Sequence, residues 1–152
     1  MKAALIKVSG DLFTSEAFLN EVLKLIGEYF VVICVGGGTQ INEALAKAGL
    51  DIGEHGPLGR ETKTIKESLV AHVVLLENQA QLEAMLAERR MTARVVIPVL
   101  EIGTVRCHVN GNQFIKVAYV GFDILVVVTT ADRVEKKRQE FADLPKIRVI
   151  AI

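Results

Sequence analysis

The sequence predicts an α/β protein: an open, mainly parallel sheet with helices on both faces and a β-hairpin insertion. Two observations carry that prediction. Short apolar runs, "AALIKV", "FVVICV", "RVVIPVL", "DILVVVT" and "IRVIAI", recur along the chain, and strands with no polar alternation suit a sheet covered on both faces. Segments with apolar residues at helical spacing separate them, and alternation of strand and helix implies parallel βαβ units.

In chain order, residues 3–8 form the first strand, and Ser15 caps a helix at about 16–27 on which Ala17, Phe18, Val22, Leu25 and Ile26 share a face. Residues 30–35 form a buried strand, followed by a helix from Thr39 to Leu50 closed by Gly49. A long helical stretch runs from Glu61 to Arg90, with Ile65, Leu69, Val73, Leu76, Leu82 and Leu86 among its apolar positions. Residues 94–100 supply the third strand. Asn110-Gly111 then predicts a hairpin turn within "VRCHVNGNQFIKV", because Asn-Gly is the strongest short hairpin signal. A buried strand at 123–129, a charged helix at about 131–142 and a closing strand at 147–152 complete the chain.

The 152 residues suffice to bury roughly two thirds of the unfolded surface in one core, which predicts a single domain over 1–152. Hydrophobic residues make up 51% and only three prolines occur, with a mean hydropathy of +0.36, so disorder is excluded. No apolar run reaches the ~20 residues of a membrane span. Lys7 follows Lys2 too soon for the apolar segment of a secretory signal, which predicts a cytoplasmic protein. The formal net charge is zero, without the basic footprint that nucleic acid requires. Cys34 and Cys107 are far apart, in no metal-ligand or redox spacing, as suits reduced thiols. Cys34 reads as a small core residue, and Cys107-His108 offers half a metal site at most; no metal site is predicted.

Within "VVICVGGGTQIN" (31–42) the strand ends in Gly36, Gly37 and Gly38 and feeds directly into a helix. Ligands of open α/β sheets lie at the carboxyl ends of strands. A glycine turn opening a helix there offers unhindered N–H groups and a positive dipole end to an anion. Three glycines in a row cost conformational entropy on folding, so turn geometry must explain all three or a ligand must approach them. The spacing is neither a dinucleotide fingerprint nor a Walker loop, since Thr39 stands where a lysine is needed.

"IKVSGDLF" (6–13), "VVICVGGGTQIN" (31–42), "GRET" (59–62), "IPVLEIG" (97–103) and "DILVVVTTADRV" (123–134) fall in the order of the motifs of the amino acid kinase superfamily. The first resembles the K-L-S-G-E of uridylate kinases, and the second the G-G-G-P-Q-I-N of N-acetylglutamate kinases. The resemblance covers most of the chain. It implies that Lys7 stabilises charge on a transferred phosphoryl group, beside the small residues Ser9 and Gly10. It further implies that the amides of Gly36 to Gly38 face the acceptor and the phosphoryl group, with Asn42 one turn into the helix. Arg60 matches an arginine that clasps the acceptor's carboxylate. Phosphoryl transfer needs positioning and cationic or N–H donors more than covalent chemistry, so these residue types suit it.

The departures are equally specific. The family places an Asp-bearing helix after its central hairpin, in patterns such as N-x-N-x-D; "NGNQFIKVAYVGFD" reads as too short for that helix and carries no matching Asp. Its T-D-V-D-G-V-Y survives only as "TTADRV", with Arg133 where the turn glycine belongs. The ATP-binding second half has no counterpart within these residues. The expectation is therefore a family member reduced to the acceptor-side half, binding a small anionic metabolite (carboxylate, phosphate or nucleotide monophosphate) at Lys7, Gly36 to Gly38 and Arg60. Two rivals stand beside it. One is an active small-molecule kinase that takes ATP and Mg by completing its donor site from another subunit, and the other is a structural or assembly module. Ligand choice is expected to depend on the loop from Asp51 to Thr62, where His55, in a flexible segment beside the expected pocket, could contact a ligand but reads better as a plain surface histidine. "DRVEKKRQEF" reads as a solvated helix face.

His72 sits among Ala71, Val73 and Val74 and reads as packed. The 61–90 stretch has more apolar residues than one helix face needs. In N-acetylglutamate kinases the corresponding helix packs across a two-fold axis, and a homodimer through this helix is expected.

Overall fold

The computed structural model describes residues 1–152. Strands β1 (Lys2–Val8), β2 (Tyr29–Val35), β5 (Arg94–Val96), β8 (Ile124–Thr129) and β9 (Ile147–Ala151) form one sheet in the order β5-β2-β1-β8-β9. Every neighbouring pair is parallel, with Lys7 level with Cys34 on one side and Val127 on the other. The chain leaves central β1 in one direction for β2 and β5, then returns to its other side for β8 and β9. That reversal opens a crevice at the strands' carboxyl ends.

Both faces are covered, as the apolar runs require. Ala4, Ile6 and Val8 of β1 pack with Val31, Ile33 and Val35 against Phe18 and Val22 of α1 (Glu16–Ile26) and Leu82 and Leu86 of α3 (Ile65–Glu88). Leu5, Cys34, Leu125 and Val127 point the other way, onto Ile115 of α4 (Gly111–Ala118) and Phe141, which closes α5 (Val134–Glu140). A third cluster joins Ile41 and Leu45 of α2 (Gly38–Lys47) to Ala71, Val74 and Leu75 of α3. Cys34 is a buried core residue, Cys107 is free and partly exposed, and His72 is packed. No helix is long and apolar enough to cross a membrane.

Four expectations need correction. Asn110-Gly111 is not a hairpin turn: the antiparallel hairpin lies one segment earlier, joining β6 (Val99–Ile102) to β7 (Val105–His108) through Gly103-Thr104, where Gly103 takes the left-handed φ of 62°. Asn110 instead caps α4, its side chain accepting the N–H of Gln113 at 2.8 Å. The stretch that reads as too short for the family's Asp-bearing helix therefore holds an eight-residue helix without an Asp, seated by Ile115 on the sheet. The expected strand at 94–100 splits around Pro98, which lacks the N–H a continuing ladder needs. Finally, the long helix starts at Ile65, not Glu61, with Thr64 and Glu67 forming a reciprocal capping box. Residues before it make a two-residue ribbon, β3 (Glu54–His55) with β4 (Arg60–Glu61).

Candidate functional site

A cavity of about 290 Å³ opens over the carboxyl ends of the parallel strands. Lys7, Ser9 and Gly10 reach it from the end of β1, Gly36, Gly37 and Gly38 from the end of β2, and Arg60 from β4. Seven of the eight residues singled out from the sequence thus line one cavity. The eighth, Asn42, stands behind the wall and holds Arg60: its Oδ1 accepts from Arg60 Nη2 at 2.7 Å.

Arg60 is buried, and its guanidinium donates to the carbonyl oxygens of Ile52 and Gly38 as well as to Asn42. All these acceptors are neutral, and no carboxylate forms an ion pair with it. Its hydrogen bonds are largely met but its charge is not. Burial lowers its pKa accordingly. An uncompensated buried cation is costly, and an anion in the adjoining cavity would relieve that cost.

Lys7 lies on the α4 side of the sheet, beneath the start of that helix. A Cβ at Gly111 would come within 2.3 Å of Lys7 Cε, so a side chain there would displace the end of Lys7. Lys7 has no ion-pair partner either. Burial, and secondarily Lys137, pull its pKa down to about 8, while burial pushes the neighbouring Cys34 thiol up to about 12.

The three glycines differ in what constrains them. None has a left-handed φ, so turn geometry does not explain the run. At Gly37 a Cβ would meet Asn78 Nδ2 at 2.8 Å and Leu75 Cδ2 at 3.2 Å, so packing of α3 requires glycine there. Asn78 is fixed in that place by donating to the Gly36 carbonyl at 3.0 Å. At Gly38 a Cβ would meet nothing within 4 Å, and at Gly36 only ordinary contacts. Helix α2 also begins without a side-chain cap, unlike α1, α3 and α4. Its first N–H groups, which no helix satisfies internally, are left open beside the cavity.

His55, which the sequence places in a loop beside the pocket, lines the cavity, and so do residues that sequence reading did not place there: Asp11, Thr39, His108, Asn110, Gly111 and Arg133. Asp11 is the only carboxylate among the lining residues and accepts a hydrogen bond from Thr39 Oγ1 at 3.1 Å. His55 belongs to the β3–β4 ribbon, and its pKa is lowered by burial and by Arg60. That ribbon is tied down: Asn110 Nδ2 donates to the Pro57 carbonyl at 2.9 Å, and Asn110 N to Leu58 at 2.9 Å. His108 is buried beneath the cavity with its Nε2 3.1 Å from Ser68 Oγ, and burial followed by the neighbouring His72 lowers its pKa. One sequence signal pointed to Asn110: Asn followed three residues later by Gln is a helix-start pattern. His108 and Arg133 reach the cavity only through tertiary folding, and no local pattern marks them.

Compared with known proteins, the chain matches the model of the amino acid kinase family over residues 2–139. No curated protein matches it.

Proposed function

The chain belongs to the amino acid kinase family, and from that premise we propose that it binds a small anionic metabolite, a carboxylate, phosphate or nucleotide monophosphate, in the cavity at the glycine loop. The observation that carries the reading is Arg60, a buried cation without a carboxylate partner, facing a cavity shared with Lys7 and the uncapped start of α2. Cations, open N–H groups and a helix dipole are the elements that hold an anion in a partly dry site. At about 290 Å³ the cavity is at the small end of the ~300–1,000 Å³ typical of ligand sites, which favours a compact ligand. In this reading residues 1–152 do not hold ATP by themselves, and the protein works in the cytoplasm.

Thermal-shift measurements with inorganic phosphate, N-acylated amino acids, UMP and Mg-ATP test the proposal. Stabilisation by one or more of the small anions and none by Mg-ATP is the expected result. Stabilisation by Mg-ATP, with phosphate transfer to an acceptor, would favour a working kinase; the unpaired Lys7 at the strand end is the feature that favours that second reading. No response to any of them would leave an assembly role.

A homodimer through α3 is part of the same proposal. Ile65, Leu69, Val73 and Leu76 are exposed, Ile65 by 89% and Leu69 by 50%. Their spacing of four, four and three residues puts them on one stripe of the helix. An apolar stripe of this kind on a helix whose opposite side is already packed marks a surface that another chain covers.

A further inference from the structure

We infer that the β6–β7 hairpin is an acid-released arm: it docks on α3 while His72 and His108 are neutral, and protonation of the pair frees it together with the ribbon that carries Arg60. Such a device requires no particular occupant in the cavity. Residues opposite each other in an antiparallel ribbon share a face, which sets Val99, Glu101, Arg106 and His108 on one side of the hairpin and Leu100, Ile102, Val105 and Cys107 on the other. Leu100, Ile102 and Val105 are exposed. The opposite face turns to α3, where His108 Nε2 lies 3.1 Å from Ser68 Oγ. There the His108 ring also stands edge-on to that of His72, one helical turn beyond Ser68, with centroids 6.3 Å apart. At the root of the hairpin, Val99 packs on the cluster shared by α2 and α3.

This seat suits neutral imidazoles and not charged ones. His72 and His108 are only 8% and 9% exposed, and the Nδ1 of each is enclosed without a hydrogen-bond partner. An imidazolium donates at both nitrogens, so protonation would leave each Nδ1–H with nothing to bond and set two like charges side by side. Arg106 faces both rings, and Arg60 of β4 faces His108. Of the acids, Glu101 faces His72 but lies 3.6 Å from Arg106, and the Glu67 carboxylate of α3 accepts the N–H groups of Lys63 and Thr64. On the outer side Glu61 and the Cys107 thiol share a hollow with His108, and on the cavity side Lys7, Asp11, His55 and Arg133 line the same wall. Burial lowers the pKa of both histidines, followed by Arg106 for His72 and by His72 itself for His108. With the docked pKa values below the ordinary 6.5, the released arm binds more protons, so docking is full above pH 6.5 and is lost as pH falls beneath it. Release reaches the cavity through the backbone. Val109 bridges to Gly59, Asn110 N donates to the Leu58 carbonyl at 2.9 Å, and Gly59 is so close that a Cβ there would meet the His108 carbonyl oxygen at 2.1 Å. The ribbon that holds His55 and Arg60 therefore rests on the end of the hairpin.

Amide hydrogen exchange of the intact protein at about pH 7.5 and about pH 5 tests this, read as protection factors so that the intrinsic pH dependence of exchange cancels. Segments 99–109 and 54–61 should lose protection by about tenfold at the lower pH, in step with each other, while β1 and β2 keep theirs. His72→Leu and His108→Gln each leave one titrating ring in the seat and should cut that loss to less than half, and the double variant should abolish it. Where a substitution in this packed seat fails to fold, NMR titration of the wild-type imidazoles serves instead: protonation of His72 and His108 should coincide in pH with the loss of hairpin protection. Hairpin protection unchanged at the lower pH, or a loss spread evenly over the central sheet, would overturn the inference. So would a folded double variant that loses as much protection as the wild type.

Discussion

Two adjacent glycines serve different masters in this protein. Gly37 is held by packing, because any side chain there meets Asn78 and Leu75, and Gly37→Ala should destabilise the fold by ~1–3 kcal/mol in urea unfolding, as overpacking does. Gly38 faces open space at the start of a helix, where Gly→Ala should instead stabilise the unliganded protein by ~0.4–1 kcal/mol by restricting the unfolded chain. The same Gly38→Ala change should weaken anion binding, since it places a methyl group beside the open N–H groups. Lys7 gives a pH signature. Its folded pKa is about 8 against an ordinary 10.5, so between those values the unfolded chain binds more protons and stability rises with pH. Lys7→Met should flatten that rise and, below pH 8, add on the order of 1 kcal/mol, since the amine keeps some access to solvent. Anion affinity in the wild type should fall as pH passes 8 and the ammonium is lost. Lys7, the glycines and Arg60 were legible because each sits in a short contiguous motif. Arg133 and His108 were not, because their place depends on which strand ends the sheet topology brings together.

Helix starts position this site, and they respond to single caps. Asn110 both caps α4 and ties down the β3–β4 ribbon through Pro57 and Leu58. Asn110→Ala should cost ~1–2 kcal/mol in denaturant unfolding, whereas Asn110→Asp, which keeps the capping oxygen and loses the amide donor, should recover about half. A ligand that depends on the ribbon should lose affinity in both variants, because Arg60 is carried on β4. The parallel strands were legible element by element, since burial on both faces leaves an unbroken apolar run. The hairpin was misplaced because Asn-Gly satisfies a tight turn and a helix cap equally well by composition; Gln113 three residues on favours the cap. Strands β3 and β4 are two residues long, too short for any periodicity to show.

At the scale of the whole molecule, the central reversal of the sheet gathers Lys7, Arg60 and Arg133 around one cavity, and α3 leaves an apolar stripe outside. Light scattering at micromolar concentration should give twice the 16.6 kDa of one chain, and Val73→Glu, in the middle of the stripe, should shift it to monomer with little loss of helix content; a wild-type monomer would remove the dimer from the account. The central claim concerns the cavity, and anion-induced stabilisation compared between wild type and Gly38→Val tests it most directly. The account predicts that phosphate, an N-acylated amino acid or UMP raises the melting temperature of the wild type. It also predicts that Gly38→Val, folded by circular dichroism, gains nothing from the same anion. A folded Gly38→Val that keeps the full stabilisation, or a wild type that responds to none of the three, would contradict it.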